Sequence, residues 1–359
     1  MSQNRLAGFD VARSLAIFGM MIVHFMLVMT DGQPSEKWSD ALLHLLDGRP
    51  AATFVILAGI GVTLRSKKGA DPLACAERRI IETSLRRRGV LLLAFGFVNL
   101  VIWPGDILRI YGVSLMMVPW LVWRSSRTVI ATSVAFILAF CVLLAVCDYD
   151  RNWDWNTMTY HHLWTAAGLF RSLFFDGFRS VFPWTGLLIF GLWLGRLDWS
   201  RLGIVRMVFL CGLAMVAASM ALSFLLLHWL SAHPLAGMDK QTANALLGLL
   251  SMPPLPIFLV NASGVALVVI SGCTMVENRW KENRLVRALA ETGRMAFTWY
   301  VAHIVVGLGG VIVLGWTRTT HGQALATAVG FFTLAAAISC WWKKRFNHGP
   351  LEFLLRRVG

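Results

Sequence analysis

The stretch GFDVARSLAIFGMMIVHFMLVM, residues 8–29, decides the fold. It is as long and apolar as the ~20 residues that cross a ~30 Å hydrocarbon core, and so predicts a first transmembrane helix. Yet it carries Asp10 and Arg13 near one end and His24 well inside the other. Ionisable side chains within a span cost roughly 2.5–3.5 kcal/mol each on insertion scales and mark a pathway or a site by default.

Working outward, the whole chain has the same character. Of 359 residues, 57% are hydrophobic and 14% charged, against about a quarter charged in soluble domains. Several of the sixteen Trp, among them Trp103, Trp123, Trp199, Trp316 and Trp342, sit near the ends of apolar runs, as in the aromatic belts at membrane surfaces. The first run lacks a small-residue cleavage site after a short core, so the first helix is expected to remain. The net charge of +14 does not point to nucleic acid, because the Lys and Arg lie in short loops between apolar runs. Six scattered cysteines show no CxxC spacing and read as small packing residues.

Apolar runs predict an all-α, polytopic membrane helix bundle of about ten spans, near residues 9–29, 49–66, 88–104, 107–124, 128–147, 181–197, 204–230, 252–275, 289–314 and 323–342. One alternate set of loops holds Arg65, Lys67, Lys68, Arg78, Arg79, Arg86, Arg87 and Arg88, then further Arg and Lys clusters through to the tail. The opposite set is richer in Asp. Both termini are therefore expected in the cytoplasm. The segment 148–180 is expected outside it, with a short interfacial helix, and residues 1–359 are read as a single transmembrane domain.

Within the first span, Asp10 and Arg13 are one turn apart, which also fits a simple helix-end ion pair. His24 lies about 16 Å farther along much the same stripe. His303, in GRMAFTWYVAHIVVG, sits deep in the ninth span, one turn after Tyr300. A lone buried His usually packs and hydrogen-bonds, but two in separate spans can meet in the bundle interior. His is the side chain best matched to general base work near neutral pH.

A second group gathers His44, Asp47 and Arg49 in HLLDGRPAATF, and Asp106, Arg109 and Tyr111 in WPGDILRIYGV. Arg offers a planar fork for a carboxylate or carbonyl oxygen; equally, Asp106 suits a helix N-cap after the Pro-Gly turn. RRIIETSLRRRG, with Arg86, Arg87 and Arg88, fits a topogenic loop touching anionic lipid or an Arg surface for phosphates. No HxxxH or HExxH spacing occurs, and His161 and His162 are adjacent, so no metal is expected.

In order along the chain, GFDVARSLAIFGMMIVHF, DGRPAATFVILAGIGVTL, GDILRIYGV, FPWTGLLIFGLWLGR, GRMAFTWYVAHI and GPLEFLLRR together resemble the bacterial YeiB-like family. That family is similar to the heparan-alpha-glucosaminide N-acetyltransferases and to the membrane acyltransferases that acylate sugars outside the cell. In the sugar O-acyltransferases an Arg, ten residues and a His near the first span are functional, and Arg13 to His24 reproduces that spacing. The resemblance implies a protein of the bacterial inner membrane that passes an acyl group, acetyl by preference, from cytoplasmic acyl-CoA to an extracytoplasmic glycan or lipid-linked sugar. His24, His303, Arg13, Asp106 and Arg109 are the catalytic candidates; His44, Asp47, Arg49, Tyr111 and Tyr300 would bind substrate, and Arg86, Arg87 and Arg88 the CoA. A direct transfer and an acyl-His intermediate both remain open. So do a transporter or flippase, against which no inverted repeat is visible, and an accessory subunit of an envelope-polysaccharide complex. A homodimer is one arrangement such a bundle allows.

Overall fold

The computed structural model describes residues 6–66, 75–155, 159–234 and 238–358. Most of them, 77%, are helical, because in lipid a backbone must satisfy its own N–H and C=O groups and a helix does so within one segment. In chain order the helices are α1 (Ala7–Met29), α2 (Lys37–Leu46), α3 (Arg49–Arg65), α4 (Cys75–Leu100), α5 (Leu108–Met117), α6 (Ser126–Val146), α7 (Ala166–Arg171), α8 (Val181–Leu194), α9 (Leu202–Ala232), α10 (Lys240–Leu247), α11 (Pro256–Arg279), α12 (Arg284–Arg294), α13 (Ala296–Ala302), α14 (Gly309–Val313), α15 (His321–Lys343) and α16 (Pro350–Val358). A π-helical turn, His303–Leu308, joins α13 to α14.

Among the described residues seven stretches are long and apolar enough to cross a membrane: α1, α2 with α3, α6, α9, α11, α13 through α14, and α15. An eighth is added if Ala166–Asp176 and α8, bent by 46°, form one span. The other two stretches expected to cross are α4, whose apolar part begins only after Arg88, and the ten-residue α5. Val134, Leu138 and Val142 on α6, and Leu210, Phe224 and Trp229 on α9, are exposed. Apolar side chains left outside on so many turns suit lipid rather than water as the surrounding solvent.

The chain divides into two compact units: Met1–Leu57, Asp198–Leu222 and Val260–Arg357 form the first, and Ala58–Leu197, Ser223–Leu259 and Val358–Gly359 the second. In the first, α1 packs on α12 and α15, and α12 on α15. The α1–α12 approach requires glycine at position 293, where a Cβ would lie 1.7 Å from the carbonyl oxygen of Asp10. In the second, α4 packs on α5, and α6 on α8. Gly89 and Gly112 face each other across the α4–α5 contact, and a Cβ added to either would lie 2.7 Å from the carbonyl oxygen of the other. Small residues bring membrane helices this close.

In the 148–180 segment the expected helix is present as α7 and a π-helical turn, Ser172–Asp176. A short ladder that the aromatic-rich sequence did not announce precedes it: β1 (Trp153–Asp154) pairs antiparallel with β2 (Thr159–Tyr160). Buried Asp176 ties the segment together, accepting from Tyr160 Oη at 2.6 Å and Arg171 Nε at 2.8 Å, while its carbonyl accepts from Trp153 Nε1 at 2.6 Å. Burial and the neighbouring Asp176 push the Tyr160 phenol up to about 12. Of the cysteines only Cys273 is buried; Cys75 and Cys211 are exposed. The packing reading therefore fails for those two, since Cys75 opens α4 outside the apolar runs and Cys211 lies on an unburied face of α9.

Candidate functional site

The first unit brings the two span histidines together. His24 points from α1 and His303 from the first residue of the π-helical turn, and His24 Nδ1 lies 3.0 Å from His303 Nε2. The rings are stacked, with centroids 5.2 Å apart and planes 22° from parallel. His303 is completely buried and His24 nearly so. Tyr300 sets its ring edge-on to His303 at 5.2 Å, and Phe54 stacks on Tyr300 with centroids 6.2 Å apart. The π turn shifts the helical register by one residue at this point, a local device that recurs at functional sites.

The hydrogen bonds order the protons. His303 Nδ1 faces the carbonyl oxygen of Trp299 at 3.2 Å; that oxygen can only accept, so Nδ1 carries the hydrogen. In a neutral ring the other nitrogen, Nε2, then accepts. His24 Nδ1 must donate to it, which leaves the lone pair of neutral His24 on Nε2. That atom can take up a proton while Nδ1–H keeps its bond to His303, the arrangement a general base needs.

Toward the other end of α1, Arg13 Nη1 donates to Asp10 Oδ1 at 2.5 Å, and Arg294 Nε lies 3.7 Å from Asp10 Oδ2. Arg294 also donates to both carboxylate oxygens of Glu291, at 2.9 and 3.0 Å, and Glu291 pairs with Lys343. Asp10 is buried, whereas both arginines keep part of their surface exposed. Arg294 lies inside the run expected to span at 289–314 but was not singled out there; its local signals were that position within an apolar run and the Glu-x-x-Arg spacing to Glu291.

Of the second group, Arg49 is buried, donating from Nε to Asn261 Oδ1 at 2.9 Å and from Nη1 to the carbonyl oxygens of His44 at 2.8 Å and Asp47 at 3.2 Å. Arg49 thereby closes the turn between α2 and α3, with the His44 side chain exposed and Asp47 half-buried. Asn261, in turn, donates to Ser219 Oγ at 3.0 Å.

Asp106, Arg109 and Tyr111 belong to the second unit, as do Arg86, Arg87 and Arg88. Asp106 is wholly buried; its Oδ1 accepts from Asn99 Nδ2 at 3.0 Å and its Oδ2 from the backbone N–H of Arg109 at 3.1 Å. It thus caps the start of α5, as the Pro-Gly turn allowed. Burial raises its carboxyl to about 6, against the opposing pull of Asn99 and Arg109. Buried Arg109 donates from Nη2 to the Pro104 carbonyl at 3.3 Å, and Tyr111 is buried two residues farther along α5. Arg86 and Arg87 are exposed on α4 and Arg88 is half-buried. Among the described residues no group of three or more His, Cys, Asp or Glu side chains is placed to hold a metal ion.

The profile of the family described as heparan-alpha-glucosaminide N-acetyltransferase, catalytic, matches residues 5–228, more than half of the chain. That of the family described as protein of unknown function (DUF418) matches residues 212–359. Over 372 aligned residues, covering 99% of this chain and 93% of the relative, the sequence is 21% identical to the "Uncharacterized 39.9 kDa protein in amylase 3'region" of Bacillus acidopullulyticus. The two profiles between them span the motifs from GFDVARSLAIF to GPLEFLLRR, and the apolar helices agree with them. The chain is therefore a multi-pass membrane protein that belongs to the heparan-alpha-glucosaminide N-acetyltransferase catalytic family, in its YeiB-like relatives.

Proposed function

We propose that this protein is an acyltransferase of the bacterial inner membrane, with ten spans and both termini in the cytoplasm. It passes an acetyl group from cytoplasmic acetyl-CoA to the amine or hydroxyl of an extracytoplasmic glycan or lipid-linked sugar. The family match supports the reaction class; the buried His24–His303 pair is the observation that carries the chemistry.

In this reading His24 Nε2 takes the proton of the acceptor N–H or O–H as the acceptor atom attacks the thioester carbonyl. The new N–C or O–C bond forms, the C–S bond breaks, and the departing thiolate recovers the proton from His24, giving the acetylated sugar and CoA. His303 accepts the Nδ1–H of His24 throughout and holds that ring in the tautomer whose Nε2 is basic. Arg13, partly exposed on the same helix, offers its guanidinium to a CoA phosphate.

The test is acetyl transfer from labelled acetyl-CoA in proteoliposomes. His24→Ala and His24→Asn should both insert and fold yet lose transfer by on the order of 10²-fold, as for a missing general base. A fully active His24→Asn protein would end the catalytic reading of this residue.

A further inference from the structure

The closing motif GPLEFLLRR has no part in the chemistry above, yet it reaches the helix that delivers His303. Helix α12 ends at Arg294, and Met295, at φ −105° and ψ 28°, breaks the backbone before α13 begins. A new helix start has backbone N–H groups with no carbonyl one turn earlier to receive them. Here no local side chain caps them. Glu352, on α16, does so instead: its Oε1 accepts from the backbone N–H of Phe297 at 2.7 Å and of Thr298 at 3.0 Å, and its Oε2 from Thr298 Oγ1 at 2.5 Å. The backbone N–H of Leu351 donates to Thr298 Oγ1 at 3.2 Å.

The approach to this cap is itself built. Trp342 Nε1 donates to the carbonyl oxygen of His348 at 2.9 Å. Gly349 leaves room that a side chain would fill, since a Cβ there would lie 2.1 Å from Glu352 Oε2. Directly after the capped residues stand Trp299, whose carbonyl fixes the His303 tautomer, and Tyr300, whose ring abuts it.

We infer that Glu352 is a positioning residue for the histidine pair: by capping α13 from the C-terminal helix, it fixes the Trp299 carbonyl and with it the orientation of His303 toward His24. The inference rests on the acyl-transfer reading for its consequence on rate, but its geometry stands apart from that reading. Hydrogen bonding rather than charge carries the effect. Burial raises the Glu352 carboxyl above its ordinary range, and Gln is an uncharged isostere that fits the same cradle. Gln would keep both backbone N–H bonds on Oε1 and turn its amide toward Thr298 Oγ1.

The experiment compares Glu352→Ala and Glu352→Gln in the full-length, membrane-reconstituted protein. It reads acetyl-transfer kinetics together with nitrogen-15 spectra of labelled histidine rings, which report tautomer and hydrogen bonding. The Ala variant should lose at least about tenfold in kcat, with KM for acetyl-CoA unchanged, and should alter the signals of the His24–His303 pair. The Gln variant should restore both. A folded Ala variant with wild-type rate and histidine signals would overturn the inference. So would a loss that merely tracks the amount of folded protein, or a Gln variant as impaired as Ala. If the wild-type protein transfers no acetyl group, the proposed reaction fails, and the histidine spectra alone decide whether Glu352 sets the pair.

Discussion

The Nδ1 of His24 lies 3.0 Å from the Nε2 of His303, across a sequence separation of 279 residues. Because His303 is held by the Trp299 carbonyl, the bond has a direction, with His24 donating and His303 accepting. His303→Phe should keep the stacked ring and remove the acceptor, leaving a buried N–H of His24 unpaired at a cost of about 1–3 kcal/mol. Its transfer rate should fall, and in the double variant with His24→Ala the rate should fall no further than in His24→Ala alone. Additive losses would mean that the two rings act independently.

Gly293→Ala should part α1 from α12, because the added methyl would lie 1.7 Å from the Asp10 carbonyl oxygen. A loss of about 1–3 kcal/mol is expected for such overpacking, read as a lower melting temperature of the detergent-purified protein. Gly330→Ala on α15, where no heavy atom lies within 4 Å of the new methyl, is the control. It should be silent or slightly stabilising, since Ala outranks Gly in a helix.

Asp106 predicts a stability that falls with rising pH. Its folded carboxyl titrates at about 6, above the ordinary 3.8, because burial disfavours the charged form. The folded state therefore holds the proton more tightly than the unfolded state. Its stabilising contribution is full below the ordinary value and is lost as the pH climbs to about 6, by on the order of 1–3 kcal/mol. Melting curves across this window should show that slope, and Asp106→Asn should flatten it. An unchanged slope in the variant would assign the pH dependence to other groups.

Replacing Arg86, Arg87 and Arg88 together with Gln should weaken acetyl-CoA binding, most at low salt, while insertion is retained. The exposed guanidinium groups of Arg86 and Arg87 on α4, beside half-buried Arg88, would act on phosphates through screened charge and paired hydrogen bonds. Equilibrium binding of labelled acetyl-CoA to the purified variant measures this. Unchanged affinity would leave these residues the role of orienting the chain in the membrane.

The sequence by itself determined the class of fold, because length and apolarity of a segment suffice to say that it crosses lipid, whatever its neighbours do. It also exposed Asp10, His24 and His303, since an ionisable group in an apolar run is conspicuous wherever it packs. Several decisions needed the tertiary structure. That His24 and His303 share a hydrogen bond, that Arg294 joins Asp10, and that Arg49 spends its donors on the α2–α3 turn and Asn261 all depend on which helix faces meet. Helical periodicity gives a residue's face but not the partner opposite it. The cap on α13 is the clearest case: nothing within four residues of Thr298 signals its acceptor, because a carboxylate fifty-four positions away, on Glu352, comes to it through the fold.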